Sequence, residues 1–432
     1  MPETLSILRH FVAARWLRRF STRAALLAWQ RRRLEGFLGR LVKEVPFYHG
    51  RPPVLESLPV LDKAAMRGNF AKLNRHGIHL HEAEAVALEA ETRRDFSPVL
   101  PGGVTVGLSS GTSGRRGVFL VSPEERAQWA GMILAKMLSR GSLLRILSFW
   151  RTPLRIAFFL RADSNLYRTV ASRRIDFRFY DLLQPLGDLA HDLETHRPHI
   201  LIAPASVLAE LARIDPLDVH PQQVISVAEV LDERDAETIS TRFRVEPAQI
   251  YQATEGFLAC SCREGRLHLN EEVLHIEPQW LDAERTKFHP VITDFSRTAQ
   301  AFVRHRLDDV LVPDERECPC GNPTLWLARI EGRADEVLRF PEPVFPDVVR
   351  QALYAMPDAP DYYRIEQHGA ELMVFLKDPS PKVAAAVEEV MVQLFQRLGI
   401  TSQRLAFPEW TDQPRGQKHR RIRCVTPLHS LT

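Results

Sequence analysis

Short apolar runs alternating with helical stretches dominate the middle of the chain. Between Leu143 and Tyr251, the runs Ile146–Phe149, Ile156–Leu160, Ile200–Ala203 and Val224–Val227 have the predominantly apolar character of buried strands. Leu186–Thr195, Ser206–Ile214 and Glu233–Phe243 are expected to be helices, and the alternation predicts a largely parallel α/β sheet. Upstream, Leu34–Val45 continues a helical pattern that stops at Pro46-Phe47-Tyr48, because proline disfavours helix in the residue before it. Asp62 is placed to cap a short helix through Phe70. A strand from Val104 enters a Gly/Ser-rich stretch and returns through Val121, after which Ser122-Pro123-Glu124-Glu125 opens a helix with Ser as N-cap and Pro at its first position. From about Ala334 the pattern becomes α+β, with Tyr362–His368 and Leu372–Lys377 paired about Gly369 and a helix over Lys382–Leu398. The expectation is a large multi-layer α/β domain over 1–333 and a small α+β domain over 334–432, divided near Gly332-Arg333-Ala334-Asp335.

Composition adds bounds. At 432 residues, two or three domains are expected, and 45% hydrophobic with 26% charged residues supports a sizeable core and excludes wholesale disorder. A net charge of +3 gives no argument for nucleic-acid binding. The segment 1–45 differs locally: Arg9, Arg15, Arg18, Arg19, Arg23 and Arg31–Arg33 are mixed with Phe11, Trp16, Leu17, Phe20, Leu26, Leu27 and Trp29. This basic amphipathic pattern is compatible with peripheral membrane contact, but a helix packed on its own domain is the favoured expectation. Neither a signal-peptide pattern nor a run of about 20 apolar residues is present, so a cytoplasmic protein is expected. The odd count of five cysteines argues against a disulfide framework.

Several stretches carry candidate chemistry. Ser109, Ser110, Gly111, Thr112, Ser113 and Gly114, followed by Arg115-Arg116-Gly117, can turn backbone N–H groups, hydroxyls and guanidinium groups toward a polyanion, although the Walker spacing and its lysine are absent. Tyr251-Gln252-Ala253-Thr254-Glu255-Gly256 places an aromatic, a hydroxyl and a carboxylate on one strand-to-loop exit, a combination suited to a nucleotide and its magnesium. Ala228-Glu229 lies at another strand end. Asp308-Asp309, after Arg304-His305-Arg306-Leu307, suits a ribose diol or a salt-bridged edge strand, and Gln417-Lys418-His419-Arg420-Arg421 suits a phosphate or a solvated tail.

In this order the stretches resemble the adenylate-forming superfamily of acyl-CoA ligases, luciferases and adenylation domains, with the nearest likeness to phenylacetate-CoA ligases and related adenylate-forming enzymes. The resemblance runs from Pro46-Phe47-Tyr48 onward. It implies that Ser109–Gly114 grips the ATP phosphates, Ala228-Glu229 lies beside adenine, Tyr251 belongs to the nucleotide site, Thr254 contacts phosphate and Glu255 binds Mg²⁺. It further implies that Asp309 holds the ribose, Arg333 lies near the nucleotide, Asp335 is the hinge of a mobile small domain and Lys418 is the catalytic lysine. Arg115-Arg116-Gly117 and Asp308 depart from the family pattern, which has Pro-Lys-Gly and Gly there. The resemblance implies a small-molecule carboxylic acid as substrate, with acyl-pocket residues expected around Phe149, Ala203–Ser206 and Ala228. It further implies an acceptor thiol, of CoA or of a carrier protein's phosphopantetheine. The resemblance also makes Cys260, Cys262, Cys318 and Cys320 candidates for a closed zinc site, with His268 replacing Cys260 or Cys262 as the alternative. A catalytically silent nucleotide- or zinc-binding scaffold is the competing class.

Overall fold

The computed structural model describes residues 3–108, 117–160, 169–333, 336–340, 343–400, 404–412 and 420–425. It divides into two compact units, Met1–Leu307 with Pro313–Ala328, and Asp308–Val312 with Arg329–Thr432.

The first unit begins with α1 (Glu3–Val12), a π-helical turn (Ala13–Leu17) and α2 (Arg23–Glu44). The basic segment is thus broken in two, because Thr22 is extended and caps α2 by accepting from the Ala25 N–H at 3.2 Å. Next come α3 (Lys63–Gly68), capped by Asp62, and α4 (Leu80–Arg93), then β1 (Thr105–Leu108) and β2 (Val118–Val121), α5 (Pro123–Met137) and α6 (Arg140–Leu147). The central strands and helices follow: β3 (Leu154–Leu160), β4 (Ile175–Asp181), α7 (Leu186–His196), β5 (Ile200–Pro204), α8 (Ala205–Arg213), β6 (Gln223–Val227), α9 (Glu233–Phe243) and β7 (Ala248–Ala253). After them, β8 (Gly256–Ser261), β9 (Leu267–Leu269), β10 (Leu274–Trp280), β11 (Phe288–Asp294) and β12 (His305–Arg306) are antiparallel additions.

Strands β4-β3-β5-β6-β7 run parallel in that order. Their side chains alternate between two cores. Ile156, Phe158, Ile200 and Ile225 face the layer containing α2 and α5, while Ala157, Phe159, Leu201 and Val224 face α7, α8 and α9. Helices on both faces explain why β3, β5 and β6 read as largely apolar runs rather than alternating ones.

One expected strand is a helix. Ile146–Phe149 falls on the end of α6 and the loop after it, with Phe149 83% exposed. Ser139 caps this helix by accepting from the Ser142 N–H, and the Arg174 guanidinium gathers the carbonyls of Arg145, Ile146, Ser148 and Arg151 at its other end. Local apolarity could not distinguish the two outcomes, because a short apolar run fits either period.

Before α6 in the chain, α1 lies on α5. Ser6 and His10 meet Glu124 at 2.8 and 2.9 Å, and Gly131 admits the α1 backbone so closely that a Cβ there would lie 2.6 Å from the Ile7 carbonyl. Glu125 completes the expected N-terminal cap of α5 and also accepts from the Thr298 and Ala299 N–H groups, so one carboxylate joins the helix start to the loop before β12.

Strands β13 (Asp309–Asp314) and β14 (Trp326–Arg333) contain the points where the two units divide. The second unit contains α10 (Pro346–Tyr354), β15 (Tyr363–His368), β16 (Glu371–Leu376), α11 (Pro381–Arg397), β17 (Arg404–Ala406) and β18 (Ile422–Cys424). Its sheet order is β17-β16-β15-β18, with the β15–β16 hairpin turning at Gly369 (φ 62°). Tyr363, Ile365, Val374, Val387 and Phe395 are buried in its own core.

Replacing Ser122 by Ala removes one acceptor of the α5 cap and is expected to lower stability by about 1 kcal/mol. Urea denaturation would show this as a lower midpoint with an unchanged slope.

Candidate active site

The parallel strands deliver residues to their C-terminal ends, where open α/β sheets place ligands. At the end of β6 the chain turns through Ala228, whose φ of 66° is unusual for a residue with a Cβ. The turn is latched: the Glu229 N–H donates to the Val227 carbonyl at 2.8 Å, and the Glu229 carboxylate accepts from the Ser206 N–H in the first turn of α8 at 3.0 Å. A carboxylate is favoured there by the unpaired N–H groups of the helix start.

At the end of β7, a register shift between Tyr251 and Gln252 leads into the turn carrying Thr254 and Glu255. Gln252 accepts from the indole N–H of Trp129 on α5 at 3.2 Å. Glu255 is 6% exposed and lies 3.4 Å from Nε2 of His305, which is itself 1% exposed. Burial pushes the Glu255 carboxyl up, but His305, the Thr254 hydroxyl and the Lys63 charge outweigh it and hold the group at about 2. The carboxylate is therefore an anion at every physiological pH.

A pocket beside this turn is lined by Phe119, Trp129, Met132, Gln252, Thr254 and Asp294, with Arg297 at its wall. Phe119 comes from the β1–β2 hairpin, whose pairing ends at Leu108 opposite Val118. The predicted phosphate-gripping residues Ser109, Ser110, Gly111, Thr112, Ser113 and Gly114 connect these strands and lie outside the described residues, as do Asp335 and Lys418. Asp294 accepts from the Ser296 N–H at 2.8 Å, and burial pushes its carboxyl up to about 6 against the pull of Arg297.

In the second unit, Asp309 opens β13, and Arg333 lies at the end of β14 with its guanidinium 3.7 Å from Asp308. The Arg333 N–H donates to Glu336 at 3.1 Å, and the Glu336 carboxylate is also 3.5 Å from Arg420. Arg420, in the basic C-terminal stretch, is thus buried against the residue following Asp335.

A separate constellation joins Cys262, His268, Cys318 and Cys320, whose ligand atoms all lie within 4.8 Å of one another. Pairing of His268 on β9 with Trp326 on β14 brings the Cys318–Gly321 turn over the Cys262–Gly265 turn. Each turn closes through a glycine N–H donated to the cysteine carbonyl, with Gly265 at φ 72° and Gly321 at φ 78°. The Glu264 N–H points at Cys262 Sγ and the Asn322 N–H at Cys320 Sγ, both at 3.4 Å. Thr324 engages Nδ1 of His268 at 2.9 Å, leaving Nε2 directed at Cys320, 3.5 Å away. Burial pushes the Cys320 thiol up to about 12, and the neighbouring Cys318 and Cys262 sulfur atoms add to the rise. Cys260 is outside this group: its Sγ faces Asn270 Oδ1 at 3.9 Å inside the core. Of the sulfur atoms considered from sequence, three converge, and the fourth position is a histidine.

His305 and Asp294 were not singled out as site residues in the sequence. His305 stood within the Arg304–Asp309 stretch without a role of its own, and no local signal marks Asp294, because its burial arises only when β11 packs against Gly256. A Cβ at Gly256 would lie 2.9 Å from Asp294 Oδ2. Phe149, expected near an acyl pocket, is instead on the surface.

No family model matches the chain, and no curated protein matches it. Solved structures do. A 2-hydroxyisobutyryl-CoA ligase in its postadenylation state with 2-HIB-AMP aligns with TM-score 0.63 at 17% identity, covering 94% of this chain and 89% of that chain. An open conformation of that ligase with 2-HIB-AMP and CoA gives 0.54 at 16%, covering 94% and 91%. Fatty acyl-adenylate ligases from E. coli and L. pneumophila give 0.53 at 12%, covering 75% and 69%. The chain shares the α/β fold of these ligases.

Asp294 binds its proton more tightly folded than unfolded, so its contribution to stability is full below about 4 and falls as pH rises to about 6. Asp294→Asn should abolish that fall, which amounts to about 3 kcal/mol. Denaturation midpoints of both proteins across this pH range would check it, and parallel pH profiles would refute it.

Proposed function

We propose that the protein is an ATP-dependent ligase that activates a small carboxylic acid as an acyl-adenylate and passes the acyl group to a thiol. The observation that carries this reading is Glu255: a buried, ionised carboxylate beside the Thr254 hydroxyl at a strand end, on a fold shared with acyl-adenylate-forming ligases. The acid's carboxylate attacks the α-phosphorus of ATP, pyrophosphate leaves, and a thiol of CoA or of a carrier protein then displaces AMP.

In this reading Ser109–Gly114 hold the departing phosphates and Thr254 contacts phosphate. Ala228, Glu229 and Tyr251 form the adenine side. Asp309 receives the ribose hydroxyls, and Arg333 lies near the nucleotide. Lys418 bears on the charge developing at the α-phosphorus, and Asp335 is the pivot between domains 1–333 and 334–432. Glu255 fits Mg²⁺, since one permanently charged carboxylate with phosphate oxygens is a usual magnesium environment. Bound magnesium would neutralise phosphate charge, while His305 supports the unbound carboxylate from its buried side.

Cys262, His268, Cys318 and Cys320 fit a structural Zn²⁺. Their donor set suits a closed tetrahedral site, and the backbone N–H groups and Thr324 orient the ligands from outside. Phenylacetate-CoA ligases are the nearest group by motif. A cytoplasmic location belongs to the same reading; among the described residues no helix is long and apolar enough to cross a membrane.

Pyrophosphate exchange into ATP, measured with a panel of aryl, fatty and hydroxy acids, should appear with at least one acid. ATP binding with no exchange for any acid would favour the silent scaffold. Lys418→Ala should lower exchange about a hundredfold or more with little change in ATP affinity. Elemental analysis should find one zinc per chain, and Cys318→Ser should lose it while Cys260→Ser retains it.

A further inference from the structure

The most conspicuous feature outside the site is the apolar surface of α6 and the loop after it. Leu144 is 60% exposed, Leu147 68%, Phe149 83% and Trp150 73%. Such large apolar side chains side by side on a folded surface mark an interaction site. The loop is built rather than slack. Arg174 donates to four carbonyls between Arg145 and Arg151, and the Phe149 and Trp150 rings meet edge to face with centroids 4.9 Å apart. A single guanidinium thus fixes the backbone that carries two outward-facing aromatics.

Charge identifies the partner. From Arg126 to Arg161 the sequence has no Asp or Glu, while Arg140, Arg145 and Arg151 lie in or just after α6. The neighbouring π-helical turn repeats the composition. Trp16 and Leu17 are 49% and 73% exposed, and no acidic residue occurs between Leu5 and Leu34. Arg15 of that turn donates to the Ala135 carbonyl near the end of α5 and feels the Arg140 charge at the start of α6, so the two apolar sets belong to adjacent elements.

We propose that Leu144, Leu147, Phe149 and Trp150, with Arg140 and Arg151, dock this protein onto an anionic lipid bilayer. Phe, Trp and Leu side chains enter the boundary between headgroups and acyl chains, and arginines remain at the phosphate level. A fluid surface requires no complementary shape, which suits protruding rings. An acidic protein would match the charge but would leave four protruding apolar side chains to be covered by a matching concavity.

The full chain is sedimented with vesicles of phosphatidylcholine alone and with vesicles in which about a third of the lipid is phosphatidylglycerol. Binding is expected only to the anionic vesicles, with release at about 0.5 M salt. The double variant Phe149→Ser, Trp150→Ser should partition about tenfold less while keeping its thermal midpoint, because both side chains are exposed. Arg140→Glu with Arg151→Glu should weaken binding to anionic vesicles by a similar factor. Failure of the unaltered protein to sediment with anionic vesicles, or undiminished binding by the aromatic variant, overturns the proposal. A dimer in solution that the aromatic variant abolishes would assign the face to a second copy and overturn it equally.

Discussion

An ionised carboxylate with almost no exposed surface is the constraint around which the strand ends are arranged. Removing Glu255 from water carries an effective penalty of several kcal/mol unless compensating charge and hydrogen-bond donors surround it. They come from three places in the chain: Thr254 in the same turn, Lys63 at the start of α3, and His305 on β12. His305 is placed by backbone pairing rather than by its own sequence neighbourhood. Leu61 bonds to the residues on either side of His305: its N–H donates to the Arg304 carbonyl at 2.9 Å and its carbonyl accepts from the Arg306 N–H at 2.8 Å. The N-terminal segment before α3 is therefore part of what holds the charge at the end of β7.

The Cys/His constellation depends on the same principle in another form. The Asn270–Leu274 segment between β9 and β10 is gripped from outside by α2: Gln30 donates to the Glu271 and Leu274 carbonyls, Trp29 to the Glu272 carbonyl, and Arg23 pairs with the Glu271 carboxylate. Glu271 also accepts from the Leu325 N–H at 2.7 Å, next to Thr324, which orients His268. One buried carboxylate thus ties the basic N-terminal helix to the loop carrying Cys318 and Cys320. The arginines of α2 that looked like a surface pattern include one with a structural anchor.

Periodicity alone carried the α/β core: β3, β5 and β6 with α7, α8 and α9 are legible because strands covered on both faces are largely apolar and their helices amphipathic. The caps at Asp62 and Ser122 and the hairpin at Gly369 are legible for equally local reasons, since each depends on the chemistry of a few consecutive residues. Strand β4, with polar Asp176 and Arg178, and the antiparallel run β8–β12 lack such a pattern, and α6 carried one that fits two conformations. Among the candidate site residues, Thr254 and Glu255 could be named from a six-residue motif, whereas His305 and Asp294 acquire significance only through burial.

By itself the sequence determined which residue types stand in which order: the hydroxyl and carboxylate after β7, the paired aspartates, the close cysteines, and the alternation that makes a parallel sheet. Tertiary structure alone decided that His268 rather than Cys260 joins Cys262, Cys318 and Cys320, because the pairing of β9 with β14 turns His268 toward the knuckle while Cys260 faces the core. It also decided that the Glu255 carboxyl lies below the usual carboxylate range and the Asp294 carboxyl above it, two acidic side chains told apart by the neighbours that folding brings to each. Chain order records chemistry, but partnership between distant residues is a property of strand register and burial.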